Sequence, residues 1–187
     1  MTSILIPSQN EPGMPAERLR LFYALWPDKA TRDALAMLQW SLQGRMVHPE
    51  NLHITLAFLG DQPVYLLPIL HAILERLDFP RMELTLDRLG YFAKSRIAWA
   101  GMNGVPPELT ELQTALSKEL KSHKIRHDER AEFTPHITLA RKATGPELAA
   151  FTPINWQADH VALVHSPMDG GAGSLYRVLA LKRLMSR

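Results

Sequence analysis

The sequence contains no cysteine. Disulfides, thiolate metal sites and cysteine nucleophiles are therefore excluded, and a reducing compartment suits the chain. Charge of neither sign dominates: 21 Lys and Arg stand against 19 Asp and Glu, for a net charge of +2. The sequence pI of about 9.0 permits a local basic patch but does not require nucleic acid. Long apolar runs are lacking. The longest, 64–74, is broken by Pro68 and His71 and is too short to span a bilayer. Ile4-Leu5-Ile6 has no basic stretch ahead of it, so no signal peptide is expected. These absences predict a cytoplasmic protein with no membrane partner. There is no Gly-x-Ser-x-Gly, which argues against a serine hydrolase. Gly170-Gly171-Ala172-Gly173-Ser174 lacks a Walker lysine and reads as a hairpin connection.

What is present is one word written twice. His53-Ile54-Thr55-Leu56-Ala57 returns letter for letter as His136-Ile137-Thr138-Leu139-Ala140. Alternating Ile, Thr and Leu suit a half-buried strand. Successive side chains point to opposite faces, so His and Thr share one face while Ile and Leu share the other. Each copy offers an imidazole beside a hydroxyl, backed by two aliphatic anchors.

The chain has 187 residues, 46% of them hydrophobic, enough for one sizeable core or two small lobes. Residues 1–17 carry Pro7, Pro12, Gly13 and Pro15 without periodicity and are expected to form a loose extension. Residues 18–187 are expected to form a single bilobal domain. Arg18 to Leu25 reads as its first strand. Asp28 is placed to cap a helix with the stripe Ala30, Ala34, Leu35, Leu38 and Leu42, closed by Gly44. The first repeated strand should close at Gly60-Asp61. A helix follows to Leu77, with Pro68 near its start. Met82, Leu84 and Leu86 alternate as a strand, and 96–102 reads as its neighbour. Leu109, Leu112, Leu116 and Leu120 mark the clearest helix. A basic loop, 121–130, leads into the second copy, and 158–165 and 175–184 read as closing strands. The order of elements around the two copies suggests two related lobes.

A histidine with a pKa near 6.5 gives or takes a proton at neutrality, and two facing one substrate can act as acid and base together. The threonine hydroxyls can donate to an oxygen on the same face, so an anion such as phosphate would fit. In-line phosphoryl chemistry needs a base on one side and an acid opposite, which two lobes across a cleft provide. Neither copy contains a carboxylate, and its spacing matches no common chelating set, so neither metal nor cofactor is expected.

With these flanks the chain resembles the two-histidine phosphoesterases, and within them the LigT-like RNA 2′,3′-cyclic phosphodiesterases, also called 2′-5′ RNA ligases. The similarity rests on RLFYAL (20–25), PENLHITLAFLG (49–60), RIAWAG (96–101) and FTPHITLAR (133–141), and more loosely on Tyr176 and the strand after it. It implies an α+β fold, bilobal, with two antiparallel sheets flanked by helices around a central cleft and one motif per lobe. It implies metal-free hydrolysis of 2′,3′-cyclic phosphate ends of RNA or oligonucleotides to 2′-phosphate. It implies His53 as proton donor to the leaving 3′-oxygen, His136 as the acceptor that activates water, and Thr55, Thr138 and Arg141 as substrate-binding residues. Symmetry of the sequence does not itself assign the acid and the base. The same residues could run the reverse reaction, ATP-independent 2′-5′ joining, or the cleft could bind an RNA end without turnover. A monomer is expected.

Strand parity adds two expectations. Arg141 shares parity with Ile137 and Leu139, so it turns away from His136 unless the strand bulges near Ala140. Phe58 and Tyr23 could stack on a base, but Phe58 shares parity with Ile54 and Leu56 and is expected in the core. His48, His123 and His127 fall in polar loops and should be solvated. Lys124, Arg126 and Arg130 could steer an RNA backbone.

Overall fold

The chain enters the fold at β1 (Arg18–Leu25). Its period of two sends Leu21, Tyr23 and Leu25 into the main core and Phe22 and Ala24 to the opposite face. The structure is a computed structural model that describes residues 17–129, 132–145, 151–167 and 174–185. Apart from Glu17, the expected extension lies outside the described residues, as do 170–173 of the glycine-rich loop and Arg130.

Asp28 caps α1 (Lys29–Gln39) as expected, its Oδ1 accepting the Thr31 amide at 2.8 Å. The buried face is Thr31, Leu35 and Gln39. It is turned by one position from the Ala30–Ala34–Leu38 line, because Gln39 goes inward to donate to two backbone carbonyls. The helix stops at Gln39, so Gly44 is not its cap. Gly44 has a φ of +127°, and a Cβ there would lie 2.8 Å from the Arg141 carbonyl oxygen. Glycine is what lets β2 (Arg45–Met46) lie against the second repeated strand, β7 (His136–Arg141).

The first repeated strand, β3 (Ile54–Pro63), runs on through Gly60-Asp61 rather than closing there, because β1 stays paired with it out to Arg18↔Pro63. α2 (Leu67–Glu75) follows, with Pro68 in its first turn, where a missing N–H leaves no bond unmade. Then come β4 (Met82–Leu86), β5 (Arg88–Phe92), β6 (Ile97–Gly101) and α3 (Pro107–Ser122). After β7 the chain closes with β8 (Ile154–Ala158), β9 (His160–His165) and β10 (Arg177–Arg183).

β6 is not the neighbour of β4. It lies between β5 and β7, while β4 pairs with β8 in a separate ribbon. Alternation along β4 fixes which face is buried but not which strand it pairs with.

The main sheet runs β10-β9-β1-β3-β7-β6-β5, with β2 on β7, and every pairing is antiparallel. Its two halves meet at a single residue pair, Ile54↔Ile137, within the two copies of the repeated word. The sequence leads to the expectation of two sheets with one copy of the word in each; instead both copies lie in this one sheet, joined through that pair, and the second sheet is the small β4-β8 ribbon. Leucines of α1, α2 and α3, with Leu84 and Trp156 of the small ribbon, join Ile54, Leu56, Ile137 and Leu139 in one core on one face. Within it Tyr23 is fully buried and donates its hydroxyl to the Leu70 carbonyl at 2.7 Å, and burial pushes the phenol pKa up. The other face carries Phe22, Ala24, Ala162 and Val164, with Trp26, Phe58 and Tyr176 packed against them. That face lines the cleft.

Candidate active site

The helices cover the Ile–Leu face of both repeated words, so the histidines and threonines are left on the open face. Beyond each threonine the two copies do the same thing. On β1, Ala24 pairs with Thr55 and Tyr23 with Ala57, which leaves Leu56 without an opposite. On β6, Trp99 pairs with Thr138 and Ala98 with Ala140, which leaves Leu139 without one. Each word therefore bulges at its fourth letter. An extra residue shifts the side-chain parity by one. Leu56 and Ala57 are both buried, as are Leu139 and Ala140. The fifth residue after each histidine swings back to the open face.

Those residues are Phe58 and Arg141, and both line the cleft. The expectation that Phe58 sits in the core is corrected: parity holds only as far as the bulge. For Arg141 the bulge near Ala140 that its access required is present. The carbonyl of Leu139 accepts both the Gln39 side-chain amide at 2.8 Å and the Val47 amide at 2.9 Å, so the bulged strand leaves no orphan acceptor there.

The cleft encloses about 150 Å³. All five residues singled out by sequence line it: His53, Thr55, His136, Thr138 and Arg141. Both imidazoles are held the same way. His53 Nδ1 donates to the Asn51 carbonyl at 2.6 Å, and His136 Nδ1 donates to the Thr134 carbonyl at 2.7 Å. A carbonyl only accepts, so each ring carries its fixed proton on Nδ1, and Nε2 is the nitrogen left to gain or lose one. His53 Nε2 lies 3.0 Å from Thr55 Oγ1.

Aromatic side chains fix the rings further. His53 is stacked with Phe22, centroids 4.7 Å apart, and with Trp26 at 5.7 Å, while Tyr176 stands edge-on at 5.7 Å. His136 meets Phe92 edge-on at 5.0 Å and Trp99 at 6.0 Å. Trp99 lies flat on Gly90, where a Cβ would come within 2.0 Å of the indole. Desolvation inside its aromatic wall pushes the His53 pKa down to about 4; the Arg141 and His136 charges act the same way, and the Asn51 bond opposes them. The imidazole is therefore neutral in the free protein near pH 7.

This constellation pairs two imidazoles, two hydroxyls and a guanidinium across one cleft, from two copies of one strand. Residues 26–169 match the family model of the 2′-5′ RNA ligase superfamily. The chain belongs to the 2′-5′ RNA ligase superfamily. Among its relatives, the RNA 2′,3′-cyclic phosphodiesterase of Escherichia coli is 32% identical over 147 residues, covering 75% of this chain and 82% of the relative. The protein of the same name from Thermus thermophilus is 32% identical over 176 residues, covering 86% and 88%. The crystal structure of E. coli LigT in apo form superposes with a TM-score of 0.77 at 28% identity, covering 91% of this chain and 100% of that one. LigT complexed with 3′-AMP gives the same TM-score, identity and coverage.

In this superfamily member several cleft residues are not among those the sequence singled out for a role. Asn51 is one. Its side-chain Nδ2 donates to the Ser174 carbonyl and its Oδ1 accepts the Tyr176 amide, both at 2.9 Å, while its own carbonyl holds His53. It pins the segment leading into β10, which carries Tyr176, to the histidine. Arg20, Phe22, Val47 and Ser166 also line the cleft. They come from segments distant in sequence, and the repeat offers a signal only for the residues beyond it: identical words imply identical bulges, hence a shared fate for Phe58 and Arg141. His127 is not solvated as expected, because its Nε2 meets Ser117 Oγ of α3 at 2.9 Å. His48, His123, Lys124 and Arg126 are exposed. Among the described residues no helix is long and apolar enough to cross a membrane.

Proposed function

We propose that the chain hydrolyses 2′,3′-cyclic phosphate ends of RNA or oligonucleotides to 2′-phosphate by acid–base catalysis between His53 and His136. The observation that carries this reading is the convergence of two identically tethered imidazoles, one from each half of the sheet, on one small cleft with Arg141. His53 gives the proton to the leaving 3′-oxygen, and His136 takes one from the attacking water. Thr55 and Thr138 donate to the non-bridging oxygens, and Arg141 offsets the charge that builds on phosphorus. No step needs a metal or cofactor. The names of the relatives and the LigT complex with 3′-AMP support a nucleotide-sized substrate.

His53 is neutral in the free protein, so as a donor it must take up its proton with the anionic phosphate. An opposite charge within a few ångströms favours the imidazolium, which supplies the driving force. The same neutrality favours a second reading, with His53 as base and His136 as acid. A cyclic substrate with sulfur in place of the 3′-oxygen separates them, because a thiolate leaves without a proton. It should restore turnover to His53→Ala under the first reading and to His136→Ala under the second.

On the oxygen substrate each alanine variant should lose about 10²-fold or more in turnover with its fold intact. Chelator should have no effect, and the pH–rate profile should be bell-shaped. Near-normal turnover in either variant refutes the mechanism. Binding of a cyclic-phosphate end without product would leave an RNA-end binding module, and joining of ends would put the 2′-5′ ligation direction first.

The reading includes a monomer acting in the cytoplasm. One chain supplies both histidines, and the absence of cysteine suits a reducing compartment. It also takes residues 18–187 as one domain, since the site draws on residues from Arg20 to Tyr176. Light scattering of the purified protein tests the first point: a dimer would overturn it.

A further inference from the structure

Charge is segregated along the chain. Residues 34–49, 88–107 and 133–145 contain no Asp or Glu, although the whole sequence has 19. These stretches supply β2, β5, β6 and β7, which lie side by side in the order β2-β7-β6-β5. Their lysines and arginines are Arg45, Arg88, Lys94, Arg96, Arg141 and Lys142. Two of these are engaged within that half of the sheet. Arg96 donates to the Ala143 and Lys142 carbonyls at 3.4 Å, and Arg88 lies over the Trp99 ring, 5.5 Å from the centroid. Arg45, Lys94, Arg141 and Lys142 are exposed and make no ion pair among the described residues. The loop that carries Lys124 and Arg126 is different: it also holds Asp128 and Glu129, and Lys121 is paired with Glu129 at 3.0 Å.

Arg45 is the informative member. It pairs with Arg141 across β2 and β7, about 5 Å away at Cα, and directly paired residues of antiparallel strands point to the same face. Arg45 therefore shares the cleft face with Arg141. Val47, two residues on, lines the cleft, so Arg45 lies one strand repeat outward from it, roughly 7 Å. Like charges directly opposite one another are destabilising. The chain builds this pair all the same, through a two-residue strand that needs Gly44 at a φ of +127° against the Arg141 carbonyl. With no carboxylate paired to either guanidinium among the described residues, an anion from outside offsets the repulsion. Arg141 meets one inside the cleft. Arg45, just beyond it, is placed for the next. We propose that this end of the sheet binds the RNA strand that leads to the cyclic end, with Arg45 as the first phosphate contact outside the cleft and Lys142 and Lys94 further along. The proposal rests on the reading of the cleft as a cyclic phosphodiesterase site. Three interstrand steps from β2 to β5 span about 14 Å, which gives a strand a basic path rather than a single point of contact.

The test measures kcat/KM on two probes, a 2′,3′-cyclic mononucleotide and a single-stranded decanucleotide ending in 2′,3′-cyclic phosphate, over a range of salt. The proteins are wild type, Arg45→Gln, Arg45→Lys, a triple variant that adds Lys94→Gln and Lys142→Gln, and the double variant Lys124→Gln, Arg126→Gln. At low salt the ratio of kcat/KM for the decanucleotide to that for the mononucleotide should fall about fivefold in Arg45→Gln, through KM. The slope of log(kcat/KM) against log salt for the decanucleotide should lose about 0.7 in magnitude in Arg45→Gln and about 2 in the triple variant, at about 0.7 for each phosphate contact on single strands. Arg45→Lys keeps the charge and should keep the slope. The Lys124, Arg126 double variant should leave ratio and slope as in wild type. Equal losses on the two probes would place the effect of Arg45 inside the cleft and overturn the proposal. So would losses in the Lys124, Arg126 variant as large as those in the triple variant, which would mean a diffuse field and no particular surface. If the wild type turns over neither probe, the phosphodiesterase reading fails instead. Fluorescence anisotropy with a labelled 3′-phosphorylated decanucleotide then decides the surface: weaker binding by the triple variant upholds it, and unchanged binding overturns it.

Discussion

A neutral imidazole at the centre of the cleft should make the fold acid-sensitive in a window that one substitution removes. His53 titrates at about 4 in the folded protein and near 6.5 when exposed in the unfolded chain. As pH falls through 6.5 the unfolded chain takes up a proton that the folded chain refuses. Stability therefore drops between 6.5 and 4, and the effect levels off below 4, where both states are protonated. The full window is worth about 3 kcal/mol at about 1.4 kcal/mol per pH unit. Between pH 7 and pH 5 the linkage relation gives about 2 kcal/mol. The ring opens onto the cleft, where solvent screens part of the effect and sets the expectation at about 1–2 kcal/mol. The assay is urea unfolding followed by tryptophan fluorescence at pH 7, 6 and 5, for wild type and for His53→Gln. The variant retains the other seven of the eight histidines, so their titration cancels in the comparison. Wild type should lose about 1–2 kcal/mol more than the variant over this range. Parallel pH dependences would refute the account of a desolvated, neutral His53.

Gln39→Leu removes the donors to the Val47 and Leu139 carbonyls and should cost about 1–3 kcal/mol in urea unfolding. If Gln39 acts on catalysis by holding the bulge that turns Arg141, its loss of turnover should vanish in an Arg141→Ala background; additive losses refute it. Asn51→Ala frees the segment bearing Tyr176 ahead of β10 and uncovers His53, so NMR titration should show the His53 pKa moving up from about 4 toward 6.5, and an unchanged midpoint would dismiss that link. Gly44→Ala meets both a φ of +127° and the Arg141 carbonyl, and should cost about 1–3 kcal/mol in thermal or urea unfolding; a neutral result would mean that the contact of β2 with β7 relaxes freely.

Local physics is enough to place much of this. Asp28 sits where a cap is needed because its carboxylate reaches the Thr31 amide three residues on, a contact within one turn. The leucines of α3 fall on one face because the helical period places them there. The strand β5 is hidden in the sequence because Gly90 interrupts its pattern, and glycine is there to admit the Trp99 indole from the next strand. The partner of β4 is equally hidden, because pairing across the chain leaves no trace in a five-residue alternation.

The same division runs through the site. That two strands carry His and Thr on one face with Ile and Leu behind follows from a period of two within each word, and can be read from the residues alone. So can the kinship of the two strands, because the same five letters occur twice. Where the pattern ends is a different matter. Each bulge exists relative to a neighbouring strand, β1 for one copy and β6 for the other, and the second is held by Gln39 from a helix 100 residues away in sequence. One residue without an opposite reverses parity, and that reversal turns Arg141 and Phe58 into the cleft. The aromatic wall that keeps His53 neutral likewise comes from β1 and from the approach to β10, and is assembled only when the sheet closes.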